Sequence, residues 1–235
     1  NADGFKKSIS NPGVGNYLTM GKTVAEAQRW LGRDAVRDGS YIQSHGSSTP
    51  QNRVTESHIY AELARVFDIN DWKITAVKAH LGHPLAAASA DQLTMTLGGW
   101  AHNMIPGITT TDRIAEDVHQ FGLNFLLQHT SVDSKELPLA FINSKGFGGN
   151  NASAFIISPD KTRELISSTI EQQSWHQYLD KNEQTRINVE QYNQDMNAGK
   201  IKPIYQLCEQ VLEPEDLTIS AEEIRIKGWN NSVIL

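Results

Sequence analysis

A chain of 235 residues with 39% apolar and 20% charged side chains can bury one sizeable core, and its composition excludes a fibrous or disordered class. A net charge of −6 argues against nucleic acid as a general partner, and the short apolar runs against a membrane span or secretory leader, so the expected setting is the cytoplasm. The single cysteine, Cys208, excludes an intrachain disulfide.

Charge is unevenly spread: residues 1–80 hold ten Lys/Arg against eight Asp/Glu, and the remainder eleven against nineteen. Arg29, Arg33, Arg37 and Arg53 read either as a docking surface for an acidic partner or as a solvated face. Residues 3–22, rich in Gly, Asn, Ser and Pro, read as a loop. Thr23 and Glu26 form a capping-box pattern, and Val24, Ala27, Leu31 and Ala35 then recur at helical spacing. A helix is therefore expected over 24–37, packed on a sheet.

A brief strand over 41–44 ends at His45, and Thr49-Pro50 offers a cap and first residue for a second helix. Ile59, Leu63, Val66 and Phe67 mark the buried face of that helix over 54–67. A second strand over 74–77 leads to Lys78. From Pro84 a run of small residues, with Leu93 and Leu97, predicts a buried helix to about residue 102. Residues 103–138 are mixed, and strands over 139–142 and 152–157 flank a Gly-rich turn as a hairpin. This order of elements defines a layered α/β domain with helices on the sheet's faces. Beyond residue 159 polar residues dominate, which suits an exposed helical excursion over 160–200. Apolar groups at 204–207 and 224–226 could pack back on the body.

Three turns come directly after predicted strands and carry polar chemistry: His45-Gly46-Ser47-Ser48-Thr49-Pro50, the segment from Lys78 to His83, and the segment from Asn143 to Asn151. In α/β folds, ligands gather beyond the carboxyl ends of strands. His45 alone reads as a histidine hydrogen-bonded in a turn rather than as a catalytic one. His83, placed before Pro84 at a predicted helix start, is expected to be neutral, because the positive end of the dipole disfavours imidazolium. Lys78 at a strand end is open to a desolvation shift. A metal site on His80 and His83 lacks a recognisable third ligand and matches no zinc signature, so no metal is expected. The turn Gly146-Phe147-Gly148-Gly149 is neither a P-loop nor a dinucleotide fingerprint, but its main chain can approach a ligand and offer N–H groups to an oxyanion.

These three segments resemble, in order and approximate spacing, the His-Gly-Thr-[Gly/Ser]-Thr-Pro, Lys-x-x-x-Gly-His and Asn-Ser-Phe-Gly-Phe-Gly-Gly-Thr-Asn motifs of the β-ketoacyl synthases. The resemblance covers about residues 12–158. It implies a thiolase-like fold, present as its C-terminal half in residues 3–159, with 160–235 as a mainly helical extension of unassigned role. It further implies decarboxylative Claisen condensation of an acyl thioester with malonyl carrier protein in fatty-acid or polyketide synthesis. His45 and His83 would donate hydrogen bonds to the malonyl thioester oxygen, and Lys78 would support the charge balance. Ser47 and Thr49 would contact the phosphopantetheine arm. Phe147 would gate the pocket and add its main-chain N–H to the oxyanion hole.

No resident cofactor is implied, because the substrates ride on the phosphopantetheine of an acyl carrier protein. That carrier protein, a homodimeric parent and a missing N-terminal half bearing the nucleophilic cysteine are the expected partners. The chain opens on Asn1 rather than Met and reads as a fragment, expected to be inactive alone. Arg53, Gln92, Lys145 and Asn150 depart from the family's Asp, Glu, Phe and Thr. Those departures leave room for a non-catalytic partner of the chain-length-factor type, and a plain interaction module is the other alternative.

Overall fold

The computed structural model describes residues 2–3, 13–146, 149–201 and 211–235. The chain divides into two compact units, Asn1–Ile170 and Glu171–Leu235.

The first unit opens with strand β1 (Ala2–Asp3) and helix α1 (Val14–Leu31), which starts after Gly13 in the left-handed region at φ 76°. Much of the expected loop is therefore helix. Thr23 is no cap: it lies in mid-helix, fully buried, and its hydroxyl faces the carbonyls of Thr19 at 2.8 Å and Ser153 at 3.2 Å. The small and polar residues that mimic a loop, Gly15, Asn16 and Thr19, are among those that α1 buries, in a helix packed against the strand over 150–157. Gly32, at φ 89°, ends α1 and admits the short helix α2 (Arg33–Arg37), so the expected 24–37 helix is two elements.

Strand β2 (Ser40–Gln43) is wholly buried. Helix α3 (Pro50–Phe67) begins at the proline that the sequence marks, whose missing N–H costs nothing at a first helical position. It buries Ile59 and Leu63 but leaves Val66 64% exposed. Strand β3 (Trp72–Thr75) leads through Ala76-Val77 into the single turn α4 (Lys78–Leu81). A 3₁₀ turn (Leu85–Ala87) precedes α5 (Ala88–Ala101). The sequence pattern predicts that α5 buries its leucines. The helix instead buries Ala88, Gln92, Thr96, Gly99 and Trp100 and leaves Leu93 and Leu97 outward.

The mixed segment forms β4 (Met104–Ile105), β5 (Leu123–Phe125) and β6 (Thr130–Ser131). The predicted hairpin is β7 (Leu139–Gly146) and β8 (Asn150–Ile157), antiparallel with Leu139 opposite Ile157 and Gly146 opposite Asn150. Helix α6 (Pro159–Ser167) comes next, capped by Ser158, which accepts the Lys161 N–H.

One six-stranded sheet, in the order β1-β8-β7-β2-β3-β5, organises this unit. Strand β2 runs parallel to both β7 and β3, β5 is parallel to β3, and β8 and β1 complete an antiparallel edge. The period of two sorts the central strands: Ile42, Ile74, Leu139 and Phe141 join α1 and α3 in one core, together with the fully buried Trp72. Tyr41 and Ala140 face the other way, against Trp100 of α5, Ile105 and Leu126. A mixed sheet with helices on both faces is the layered α/β architecture expected from the sequence.

The second unit holds α7 (Gln172–Asn197) and a three-stranded antiparallel sheet of β9 (Leu217–Ile219), β10 (Glu223–Ile226) and β11 (Val233–Ile234). The exposed helical excursion is thus present, and the 224–226 group is strand β10. The 204–207 group and Cys208 lie outside the described residues. Among the described residues, no helix is long and apolar enough to cross a membrane.

Candidate active site

Because β7, β2 and β3 are adjacent and parallel, their carboxyl ends lie side by side, and each of the three singled-out segments begins there. The first turn needs its glycine. Gly46 sits at φ 54°, and a Cβ there would stand 2.5 Å from the Ala76 Cβ. Ser44 anchors the turn to β3 through its N–H and hydroxyl, both donated to the Thr75 carbonyl.

His45 is 5% exposed, and its Nδ1 accepts the Lys145 N–H at 3.2 Å. A ring nitrogen that accepts an N–H carries no proton, so a neutral His45 bears its proton on Nε2. Burial, with Lys78, His83 and Lys145 nearby, lowers its pKa to about 4 against the pull of Glu56. The His83 ring lies 5.2 Å away, centroid to centroid, at 81° to it. His83 Nδ1 accepts the Leu85 N–H at 3.1 Å, which assigns its proton to Nε2 as well. Its pKa is also lowered, by desolvation and then by Lys78. The expected helix-dipole cause does not apply, because His83 precedes a 3₁₀ turn and α5 starts only at Ala88.

Lys78 is 8% exposed, and its ammonium donates to the His45 carbonyl at 2.6 Å. Desolvation lowers its pKa, opposed by Glu56 and Asp91. The family's glutamate position at 92 is not the counter-charge. Gln92 Nε2 donates to the carbonyls of Gln43 (3.0 Å), Ser44 (2.8 Å) and Asn143 (3.0 Å), tying the ends of β2 and β7 together. Its Oε1 accepts from Ser144 at 3.1 Å. A carboxylate could not donate to those carbonyls.

The residue at the centre of the network is one that the sequence motifs do not single out. Glu56 is 4% exposed, and its Oε1 accepts from His45 N (2.8 Å), Tyr60 Oη (2.6 Å) and Asn143 Nδ2 (3.0 Å). Its Oε2 accepts from Gly46 N and Asn52 Nδ2, both at 3.0 Å. Burial alone would raise its pKa, but Lys145, His45 and these donors hold it at about 2. Asn52, Glu56 and Tyr60 recur every four residues along one face of α3, a polar stripe that is legible in the sequence but masked by the apolar pattern beside it.

Ser47 lines a cavity of about 540 Å³ that Lys78 and His83 also border, backed by Ile74, Phe125 and Leu127. Thr49 is exposed at the start of α3, and its side chain makes no capping bond there. Gly146 ends β7 and Gly149 turns at φ 81°, while Phe147 and Gly148 lie outside the described residues. The three segments are thus brought together by His45, Lys78, His83 and Lys145. His80 turns elsewhere, its Nε2 donating to the Gly107 carbonyl at 2.8 Å. Among the described residues no group of three His, Cys, Asp or Glu could hold a metal ion. The four arginines read as a docking surface are each paired within the chain: Arg29 with Glu26, Arg33 with Asp68, Arg37 with Asp34 and Asp38, and Arg53 with Asp117.

The mixed sheet with this cluster at its strand ends matches the thiolase-like fold of solved ketosynthases, and comparison with known proteins narrows the class. Residues 9–112 match the family model for the β-ketoacyl synthase C-terminal domain. The chain is 45% identical over 234 residues to the β-ketoacyl-[acyl-carrier-protein] synthase FabY of Pseudomonas aeruginosa, covering all of this chain and 37% of that protein. The crystal structure of the noncanonical ketosynthase FabY from P. aeruginosa superposes with a TM-score of 0.81 over the whole chain. The 3-oxoacyl-[acyl-carrier-protein] synthase 1 of Escherichia coli is 35% identical over 112 residues, 48% of this chain and 26% of that protein. A type II polyketide ketosynthase solved in complex with its acyl carrier protein, at 21% identity and a TM-score of 0.52, shares the fold over 65% of this chain and 35% of its own. Over its whole length the chain is thus similar to a β-ketoacyl synthase, and it spans well under half the length of the curated relatives it matches.

Proposed function

We propose that this chain supplies the malonyl-activating side of a β-ketoacyl synthase. The observation that carries the reading is the shared protonation of two histidine rings 5.2 Å apart. Both accept a main-chain N–H at Nδ1, and both therefore present Nε2–H as neutral donors. Two such donors can stabilise the enolate oxygen that develops as a malonyl thioester loses CO₂, without a proton having to leave either ring. Lys78, anchored on the His45 carbonyl, supplies fixed positive charge beside them. Ser47 and Thr49 are proposed to contact the phosphopantetheine arm. The 146–149 turn, with the Phe147 N–H, is proposed to bind the oxyanion of the acyl thioester.

The proposed reaction is decarboxylative Claisen condensation of an acyl thioester with malonyl carrier protein, in fatty-acid or polyketide synthesis. The carrier protein is the proposed partner, supported by the names of the relatives, and the working form is proposed to be a homodimer. The synthase portion is proposed to be residues 3–159, with 160–235 as an extension. Acyl transfer needs an activated thiol, and the sequence from 13 to 158 contains no cysteine, so the nucleophile must come from elsewhere in the protein and these residues alone should not turn over.

The test is decarboxylation of malonyl carrier protein by the whole protein. His45→Ala and His83→Ala should each slow it by about 10² to 10³, while acyl transfer to the nucleophile persists. Full decarboxylation in either variant would overturn the reading.

A further inference from the structure

Lys145 stands where the family resemblance expects an aromatic residue, and its surroundings give it work that an aromatic ring could not do. Its side chain is partly buried at the end of β7, and its Nζ donates to Asn52 Oδ1 at 3.0 Å. Asn52, 1% exposed, passes its own Nδ2 to Glu56 Oε2 at 3.0 Å. Glu56 in turn accepts the N–H groups of His45 and Gly46. The main-chain N–H of Lys145 closes the circuit on His45 Nδ1.

We infer that Lys145 is a positioning residue of this site: with Asn52 it holds the Glu56 carboxylate that fixes the His45 main chain, while its charge and its N–H keep the His45 ring a neutral Nε2–H donor. The inference rests on the donor role proposed for His45. The groups that face His45 are Glu56 from α3, Lys78 from α4, His83 beyond it and Lys145 from β7. Of these, Glu56 favours the imidazolium and the three cationic or titrating groups oppose it. Removing the Lys145 charge therefore leaves Glu56 less opposed. His45 should then gain its proton at higher pH. Glu56 loses a cation in the same change, so its own titration also rises from about 2.

The test is a titration of the full chain with ¹³C-labelled histidine, the His45 signal being assigned by its loss in His45→Ala. In Lys145→Met the midpoint of His45 should move up by about half a pH unit. In Lys145→Arg, which keeps the charge, it should stay near the parent value. An unchanged midpoint in Lys145→Met, or an equal shift in Lys145→Arg, overturns the inference. Should Lys145→Met not fold, Lys145→Gln carries the test, with the same upward shift expected and no shift overturning it. Because the titration reads the ring and not turnover, it stands apart from the proposed reaction. A shift here, alongside a whole protein that does not decarboxylate malonyl carrier protein, would sink the proposed function and leave the positioning role intact.

Discussion

Gln92 illustrates how much one atom decides at the residue scale. Its amide nitrogen is the donor for three strand-end carbonyls, so Gln92→Glu, the change toward the family pattern, would set a carboxylate against three oxygens. We expect that variant to lose about 2–3 kcal/mol at pH 7 in urea unfolding, and to regain part of it on acidification as the carboxyl protonates. Glu56 runs the opposite way. Its folded pKa of about 2 lies below the 4.5 of the free group, so its stabilisation is complete above pH 4.5 and is lost as pH falls from there to about 2. Glu56→Gln should cost on the order of 3 kcal/mol at neutral pH and flatten the stability profile across that window. An unaltered slope would show that the carboxylate is not the titrating group. His45, also depressed, withdraws stability as pH falls from 6.5 to about 4, so acid unfolding should begin before Glu56 titrates.

At the scale of elements, the Arg53–Asp117 pair joins α3 to the segment ahead of β5 with two bonds of 2.8 and 2.9 Å. Both side chains are about two-fifths exposed, which limits the pair to about 0.5–1 kcal/mol. Arg53→Asp should cost about that much or more by facing two carboxylates, and the exchange Arg53→Asp with Asp117→Arg should restore it in a double-mutant cycle. Independent costs for the two changes would show that the pair contributes nothing. The elements also differ in how plainly the sequence announces them. Strand β7 is legible because it opens as a short apolar run that gives way to turn residues, and Pro50 and the Gly-rich hairpin are equally plain. The first half of α1 is not, because it packs through Gly15, Asn16 and Thr19 rather than through a row of large apolar side chains. Helix α5 misleads for a related reason: its buried face is Gln92, Thr96 and Gly99, while Leu93 and Leu97 point away. Of the site, His45, Lys78 and His83 are visible as types at strand ends. The Glu56 network that holds them is harder to see, because its bonds join α3 to β7 and the local Asn52, Glu56 and Tyr60 stripe is masked by the apolar pattern beside it.

For the whole molecule, the two units differ in kind. The first has a core on each face of its sheet. In the second, no described residue is buried, and Trp229, Ile219 and Ile234 are 63%, 72% and 75% exposed. A segment that buries so little apolar surface cannot offset the conformational entropy of its own ordering. Residues 171–235 expressed alone should therefore show no cooperative thermal transition by circular dichroism. A sharp transition would reveal a core that the exposure pattern does not contain.

The strand order has a consequence for how the protein is made. Strand β2 has its parallel neighbour β7 roughly a hundred residues further along the chain, with Ser40 opposite Leu139. At a ribosomal pace of about 5–20 residues per second, the turn bearing His45 waits about 5–20 s before Lys145 exists to donate its N–H to the ring. Until then β2 has an open edge, and long-range parallel pairing closes slowly. The newborn chain is thus most open to mispairing or chaperone capture during that interval, before its last active-site contact can form.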